Sequence, residues 1–213
     1  MDCLGRRSVL KQLYFVRHGQ TEWNAIRRMQ GHQNSDLSDL GKQQADVNGK
    51  LLSDFNIQTL YVSPLGRTRQ TAEIINNHLN LTPFFDERIK EWDCGDWSGH
   101  HYDDVTSNWA EEWQALMSDR FNYRGPNCEN FPDMRGRVIP FLEELQVQDE
   151  QNITIISHGM IGRVMMSYLL EFDEQQSVSF QQPNDVVFRV TLDEDAKELC
   201  HFIGGDGPYP GAT

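Results

Sequence analysis

Short apolar runs that stop abruptly at charged or turn residues alternate with amphipathic stretches along this chain. Leu13-Tyr14-Phe15-Val16 halts at Arg17-His18-Gly19, as a buried strand feeding a loop does. Gln20 to Asp39 is polar and turn-rich, and a helical pattern returns at about Leu40 to Asp54. A second short strand, Leu60-Tyr61-Val62, ends at Ser63-Pro64, and a helix spans about Gly66 to His78 with Ile74, Ile75 and Leu79 as apolar anchors. Pro83 to Asn130 is harder to read: only Trp109 to Met117 looks helical, and Arg120 to Pro132 looks like loop. Phe131 to Val147 is an amphipathic helix with Val138, Phe141, Leu142 and Leu145 on one face. Ile153-Thr154-Ile155-Ile156 is the cleanest strand, runs into Ser157-His158-Gly159, and precedes a helix over about Met160 to Leu170. Val186 to Leu192 and about Leu199 to Ile203 read as two final strands.

The alternation of strand and helix predicts an α/β fold: a single-domain three-layer sandwich, with a largely parallel central sheet flanked by helices. Residues 1–10 are expected to be a flexible extension, residues 11–204 the domain, and the Gly/Pro-rich residues 205–213 a loose tail. In such sheets the active crevice lies beyond the C-terminal ends of the strands. Three strands here deliver polar groups to that edge: Arg17-His18-Gly19, Ser63-Pro64 followed by Arg67, and Ser157-His158-Gly159.

Composition narrows the classes. The chain has 213 residues, enough for a sizeable core without disulfides, and 32 acids against 19 bases give a net charge of −13. That balance argues against sequence-independent nucleic-acid binding but leaves room for a local cationic pocket. No apolar run approaches the ~20 residues of a membrane span, and Met1 to Lys11 lacks the apolar stretch of a secretory signal. Cys3, Cys94, Cys128 and Cys200 are scattered, which predicts free thiols in a reducing, cytoplasmic setting rather than a disulfide framework or zinc site.

Two arginines and two histidines converging at one sheet edge make a strong anion site. Guanidinium forks suit phosphate oxygens, and helices beginning just after Ser63 and His158 would add backbone donors. A dianionic phosphoryl group is the natural guest. A lone strand-end histidine could equally be a structural cap; two strand–His-Gly motifs with a Ser-Pro-Leu-x-Arg loop favour a site. A neutral imidazole can attack phosphorus. Arg17, Arg67 and a protonated His158 would stabilise the charge that develops in in-line transfer. The leaving alkoxide needs a proton, for which Asp86, Glu87, Glu91, Asp93 and Asp96 are all nearby in sequence.

Six segments, in order, resemble the histidine phosphatase (phosphoglycerate mutase-like) superfamily, in its phosphatase-type branch. Leu13 to Asn24 resembles the signature around its Arg-His-Gly, followed by Arg28-Met29-Gln30-Gly31 and by Leu37 to Ala45, which resembles the start of its first helix. Ser63 to Ala72, Glu91 to Gly99 and Ser157-His158-Gly159 resemble its remaining motifs. The resemblance implies that His18 is the phosphorylated nucleophile, that Arg17, Arg67 and His158 hold the phosphoryl oxygens, and that Glu91 is the proton donor. It implies pocket positions at Asn24, Gln30, Gly31 and Gly159, and at Glu129, which falls where relatives carry a Gly-Gly-Glu-Ser glutamate. Arg28 and Arg69 match no chemical position and read as solvated or structural. Departures at Cys94 and around Asn127-Cys128-Glu129-Asn130 leave the substrate open.

The expected activity is metal-independent hydrolysis of a small phosphate monoester, with no cofactor and no nucleic-acid or membrane partner; a homodimer is left open. The main alternative is a cofactor-dependent phosphoglycerate mutase, which would use the same core groups. Mutases resembling this family carry a lysine- and tyrosine-rich segment after the acid motif, whereas this chain has five lysines in all, and Ser98 to Asp104 departs from that pattern. A non-catalytic phosphate-binding module would have lost the nucleophile or the acid. A metal hydrolase would need a ligand spacing that is missing here, and two guanidinium groups would repel its cation.

Overall fold

The computed structural model describes residues 10–193 and 196–212; the extension expected at residues 1–10 falls outside these except for Leu10. Seven strands form one sheet: β1 (Lys11–Arg17), β2 (Thr59–Val62), β3 (Pro83–Phe85), β4 (Asn152–Ser157), β5 (Val186–Leu192), β6 (Lys197–Ile203) and β7 (Asp206–Pro210), in the order β3-β2-β4-β1-β5-β6-β7. β3, β2, β4 and β1 are parallel; β5, β6 and β7 add antiparallel pairings. Eight helices accompany them among the described residues: α1 (Glu22–Ala25), α2 (Asp39–Ser53), α3 (Gly66–Leu79), α4 (Tyr102–Asn108), α5 (Ala110–Ser118), α6 (Phe131–Val147), α7 (Gly159–Leu169) and α8 (Glu174–Ser179).

The three layers follow from the two-residue period of the central strands. Leu13 and Phe15 of β1 point to one face, where Ile153 and Ile155 join Phe141, Leu142 and Leu145 of α6 and Ile161, Val164 and Met165 of α7. Tyr14 and Val16 point to the other, where Leu60 and Val62 meet Ala45 and Leu52 of α2 and Ala72 and Ile75 of α3. β1 and β4 are therefore apolar on both faces, as central parallel strands must be. A third cluster, Met29, Cys94, Trp97, Val105 and Cys128, with Trp92, Trp109 and Trp113 against it, supports the lobe over the strand ends.

Three elements differ from the sequence reading. The tail expected to be loose from residue 205 forms β7, because β6 offers it a free edge: Cys200 pairs with Pro210 and His201 with Tyr209. An edge position needs few donors, so its prolines are tolerated. The helix expected from Trp109 to Met117 is the second of two, since Trp109 breaks the helical backbone at φ −126°, ψ 47° between α4 and α5. β3 is three residues long and too short to leave a period. No helix among the described residues is long and apolar enough to cross a membrane. Cys94, Cys128 and Cys200 are free thiols.

Candidate active site

β1, β2 and β4 are in parallel register, so Arg17, Ser63 and His158 leave the sheet at the same edge. The His18 amide donates to the Ser157 carbonyl at 3.0 Å, extending the β1–β4 pairing one residue past the strand. Gly19 then passes against α2: a Cβ there would lie 2.2 Å from the Gly41 carbonyl oxygen, so only glycine permits the turn.

The partners of the buried His18 ring fix its tautomer. Nδ1 lies 2.8 Å from the Gly19 carbonyl, which can only accept, so Nδ1 carries the proton. Arg67 Nε, which can only donate, points at His18 Nε2 from 3.2 Å, so Nε2 holds the lone pair. Burial, then Arg67 and Arg17, hold the His18 pKa well below 6.5, so the ring is neutral near pH 7. The Asn184 side chain donates to the His18 carbonyl at 2.6 Å from the far side.

Arg67 enters at the first turn of α3, 1% exposed, with its other donors on the carbonyls of Gln33 (2.7 Å) and Gly31 (2.9 Å). Burial lowers its pKa to about 10. Arg17 donates from Nη1 to the Gln182 carbonyl at 2.9 Å, while its Nε is buried without a partner. Gly159 opens α7 beside it, where a Cβ would sit 3.3 Å from Arg17 Cζ.

His158 is fully buried, its ring centroid 5.2 Å from that of His18. Its Nε2 lies 2.7 Å from Ser63 Oγ, and its Nδ1 has no partner. Burial, then Arg67, His18 and Arg17, push its pKa well below 6.5. The protonated His158 expected from sequence is thus disfavoured by its surroundings: burial first, and then the neighbouring charges of Arg67 and Arg17, favour the neutral ring.

Glu91 lies in a loop without regular structure. Its Oε1 accepts from the amides of Trp92 (2.9 Å), Met160 (3.1 Å) and Ile161 (3.1 Å), which sets the carboxylate at the N-terminus of α7. The loop is fastened by Arg137 of α6, whose guanidinium donates to the carbonyls of Arg88 (2.7 Å), Lys90 (2.8 Å) and Glu91 (3.0 Å). Arg137 also pairs with both oxygens of Glu129 at 2.8 Å each. Glu129 lines the cavity, but its carboxylate is committed to Arg137 and to the Asp93 amide at 3.0 Å, so it fixes the loop that carries Glu91.

Asn24, Gln30 and Gly31 also line the cavity, which measures about 360 Å³. Asn24 Oδ1 accepts from the Thr21 amide (3.1 Å) in the capping box of α1, and Gln30 Nε2 donates to Thr21 Oγ1 (2.8 Å). Arg28 and Arg69 make structural contacts: Arg28 donates to the Gly99 carbonyl and stacks over Trp23 at 4.2 Å, and Arg69 lies 4.0 Å over Phe85. Sequence reasoning missed Arg137, Gln182 and Asn184. None belongs to a motif, and each reaches the site through folding across 46 or more positions. Among the described residues no three His, Cys, Asp or Glu side chains are grouped so as to hold a metal ion.

The sequence pattern described as "Histidine phosphatase superfamily (branch 1)" matches residues 13–202. The chain is 37% identical over 161 residues, 75% of its length and 74% of the relative's, to "Probable phosphoglycerate mutase GpmB" of Erwinia tasmaniensis. It is 34% identical over 170 residues, 79% of its length and 81% of the relative's, to "Phosphoserine phosphatase 1" of Hydrogenobacter thermophilus. The crystal structure of an alpha-ribazole phosphatase from Shigella flexneri superimposes with a TM-score of 0.81 at 25% identity, covering 87% of this chain and 93% of that one.

Proposed function

This chain belongs to the histidine phosphatase superfamily and is an enzyme of that type, and from that premise we propose that it hydrolyses small phosphate monoesters through a phosphohistidine on His18, without a metal ion. The observation that carries this reading is the His18 ring itself: neutral, with Nδ1–H tied to a carbonyl and the Nε2 lone pair facing the Arg67 guanidinium. A phosphoryl group attracted by Arg67 meets an unprotonated nitrogen. Arg17 Nε and His158 Nδ1, both buried without partners, supply unspent polar atoms for its equatorial oxygens.

In the first step His18 Nε2 forms the N–P bond as the P–O bond to the alcohol breaks, and Glu91 gives its proton to the leaving oxygen. In the second, Glu91 takes a proton from water, the water oxygen attacks phosphorus, the N–P bond breaks and inorganic phosphate leaves. Arg17 and Arg67 carry permanent charge through both steps, which is the work a metal ion would otherwise do.

Similarity to a mutase supports a second reading, in which the phosphohistidine is discharged to another hydroxyl. Hydrolysis is favoured because no lysine is among the residues that line the cavity, so the lysine-rich enclosure expected of a mutase is missing there. The test is a screen of small phosphate esters by released phosphate, with and without EDTA. A parallel assay supplies 3-phosphoglycerate with catalytic 2,3-bisphosphoglycerate and follows 2-phosphoglycerate. Phosphate release that EDTA leaves unchanged supports hydrolysis; isomerisation far faster than any phosphate release supports the mutase.

A further inference from the structure

The cavity has the opposite charge to the chain that encloses it. The chain carries a net charge of −13, yet six arginines (Arg17, Arg27, Arg28, Arg67, Arg120 and Arg163) line the cavity with only two carboxylates, Glu91 and Glu129. Glu129 is neutralised by Arg137, which leaves Glu91 as the one acid free to balance them. Arg17 and Arg67 belong to the phosphoryl site. Arg28 is tied to the Gly99 carbonyl and the Trp23 face, and Arg27 lies 6.0 Å over the Tyr102 ring.

Arg163 and Arg120 are unspent. Arg163 projects from α7, five residues after His158, and is only 8% exposed. Its Nη1 donates to the Val178 carbonyl at 3.1 Å, its Nε is buried without a partner, and no carboxylate pairs with it among the described residues. Arg120 lies in the loop between α5 and α6, is exposed, and makes no hydrogen bond or ion pair among the described residues. The two guanidinium groups repel each other: after burial, Arg120 is the next cause that lowers the Arg163 pKa, to about 10. A buried guanidinium that has no carboxylate partner and shares its cavity with a second unpaired guanidinium is costly in a folded chain, and an anion held by both relieves it.

We propose that Arg163 and Arg120 form a second anion subsite, which receives an acidic group carried on the alcohol portion of the substrate while the phosphoryl group occupies the His18 corner. The substrates of this enzyme are then small phosphate monoesters bearing a second acid, a carboxylate or a further phosphate. This rests on the reading that His18 receives the phosphoryl group. The apolar surface of Trp92, Met134 and Met160 in the same cavity suits a short carbon skeleton joining the two acids.

The experiment is steady-state kinetics on matched esters that differ only in the second acid. O-Phosphoserine is compared with O-phosphoethanolamine, 3-phosphoglycerate with glycerol 3-phosphate, and propane-1,3-diyl bisphosphate with propyl phosphate. p-Nitrophenyl phosphate serves as the simple ester. Each variant is judged by the ratio of kcat/KM within a pair, which does not depend on the amount of active protein. The wild type should favour the acid-bearing member by about 10- to 100-fold, the worth of one or two charge-assisted hydrogen bonds. Arg163→Met and the exposed Arg120→Gln should each bring that ratio down by about 10-fold. Preference in the first two pairs identifies a carboxylate, and in the third a phosphate. A wild-type ratio near one, or a ratio kept in both variants, overturns the subsite. Absence of phosphate from every ester, p-nitrophenyl phosphate included, overturns the hydrolase reading beneath it.

Discussion

Arg137 Nη2 donates to the backbone carbonyl of Glu91 at 3.0 Å, so a helix-borne guanidinium holds in place a carboxylate that no regular element carries. The same guanidinium takes the carbonyls of Arg88 and Lys90 and both oxygens of Glu129. Removing it frees the loop to shift, and general acid catalysis is sensitive to sub-ångström placement. Arg137→Met should therefore lower kcat on alkyl phosphates by about 10- to 100-fold. p-Nitrophenyl phosphate, whose leaving group needs no proton, should lose much less in the rate of His18 phosphorylation. Arg137→Lys should not restore the rate, because an ammonium cannot reach the five acceptors that the guanidinium fork serves. Equal losses on both ester types would contradict this positioning role.

Ser63 Oγ lies 2.7 Å from His158 Nε2 with both groups fully buried. Ser63→Ala would leave a buried ring nitrogen unpaired, which costs about 1–3 kcal/mol. The melting temperature should fall accordingly, and phosphoryl transfer should slow by about 10-fold as the ring loses its orientation. Stopped-flow release of nitrophenolate measures the second effect separately from the first. A variant that is less stable but transfers at the wild-type rate would show that Ser63 only supports the fold.

His18 and His158, the two buried histidines of the candidate site, have pKa values depressed well below 6.5, chiefly by burial and then by Arg67. Unfolding returns each ring to its ordinary value, so below pH 6.5 the unfolded chain binds protons that the folded chain refuses. The stability is fully present above that pH and declines as acid is added, by about 1.4 kcal/mol per pH unit for each ring, until the folded values are reached. Thermal denaturation between about pH 7.5 and about pH 5.5 should show this decline, and His18→Gln should remove about half of its slope. A melting temperature that is flat over this range would contradict the neutral, buried assignment.

Trp97 is fully buried at the centre of the lobe above the strand ends, its ring 6.2 Å from that of Trp92 and 5.8 Å from that of Trp113. Trp97→Ala should cost about 3–5 kcal/mol through the cavity it leaves. The loss should appear in the near-ultraviolet circular dichroism of the tryptophan cluster and in a raised KM, since Trp92 and Trp113 line the cavity. An unchanged KM in folded variant protein would separate this lobe from substrate binding.

The central strands were legible because burial on both faces leaves short unbroken apolar runs, as in Leu13 to Val16 and Ile153 to Ile156. The helix Phe131–Val147 was legible from its one apolar face. β7 was not, since glycine and proline carry no strand signal and the pairing comes from the free edge of β6. At the site, Arg17, His18, Arg67, His158 and Glu91 could be named because strand ends and ordered motifs put them in view. Arg137, Gln182 and Asn184 could not, because each acts through a backbone carbonyl distant in sequence. The sequence places Glu129 at the pocket, but its commitment to Arg137 depends on a contact between α6 and the loop that precedes it.

Trapping the phosphoenzyme tests the central claim most directly. Wild-type protein mixed with p-nitrophenyl phosphate and quenched in alkaline denaturant should gain the mass of one phosphoryl group. Peptide mapping should assign that group to His18, stable in base and lost in acid. His18→Gln protein should show neither the label nor turnover. Turnover by the wild type with no phosphoryl group on His18, or turnover retained by His18→Gln, would contradict the account.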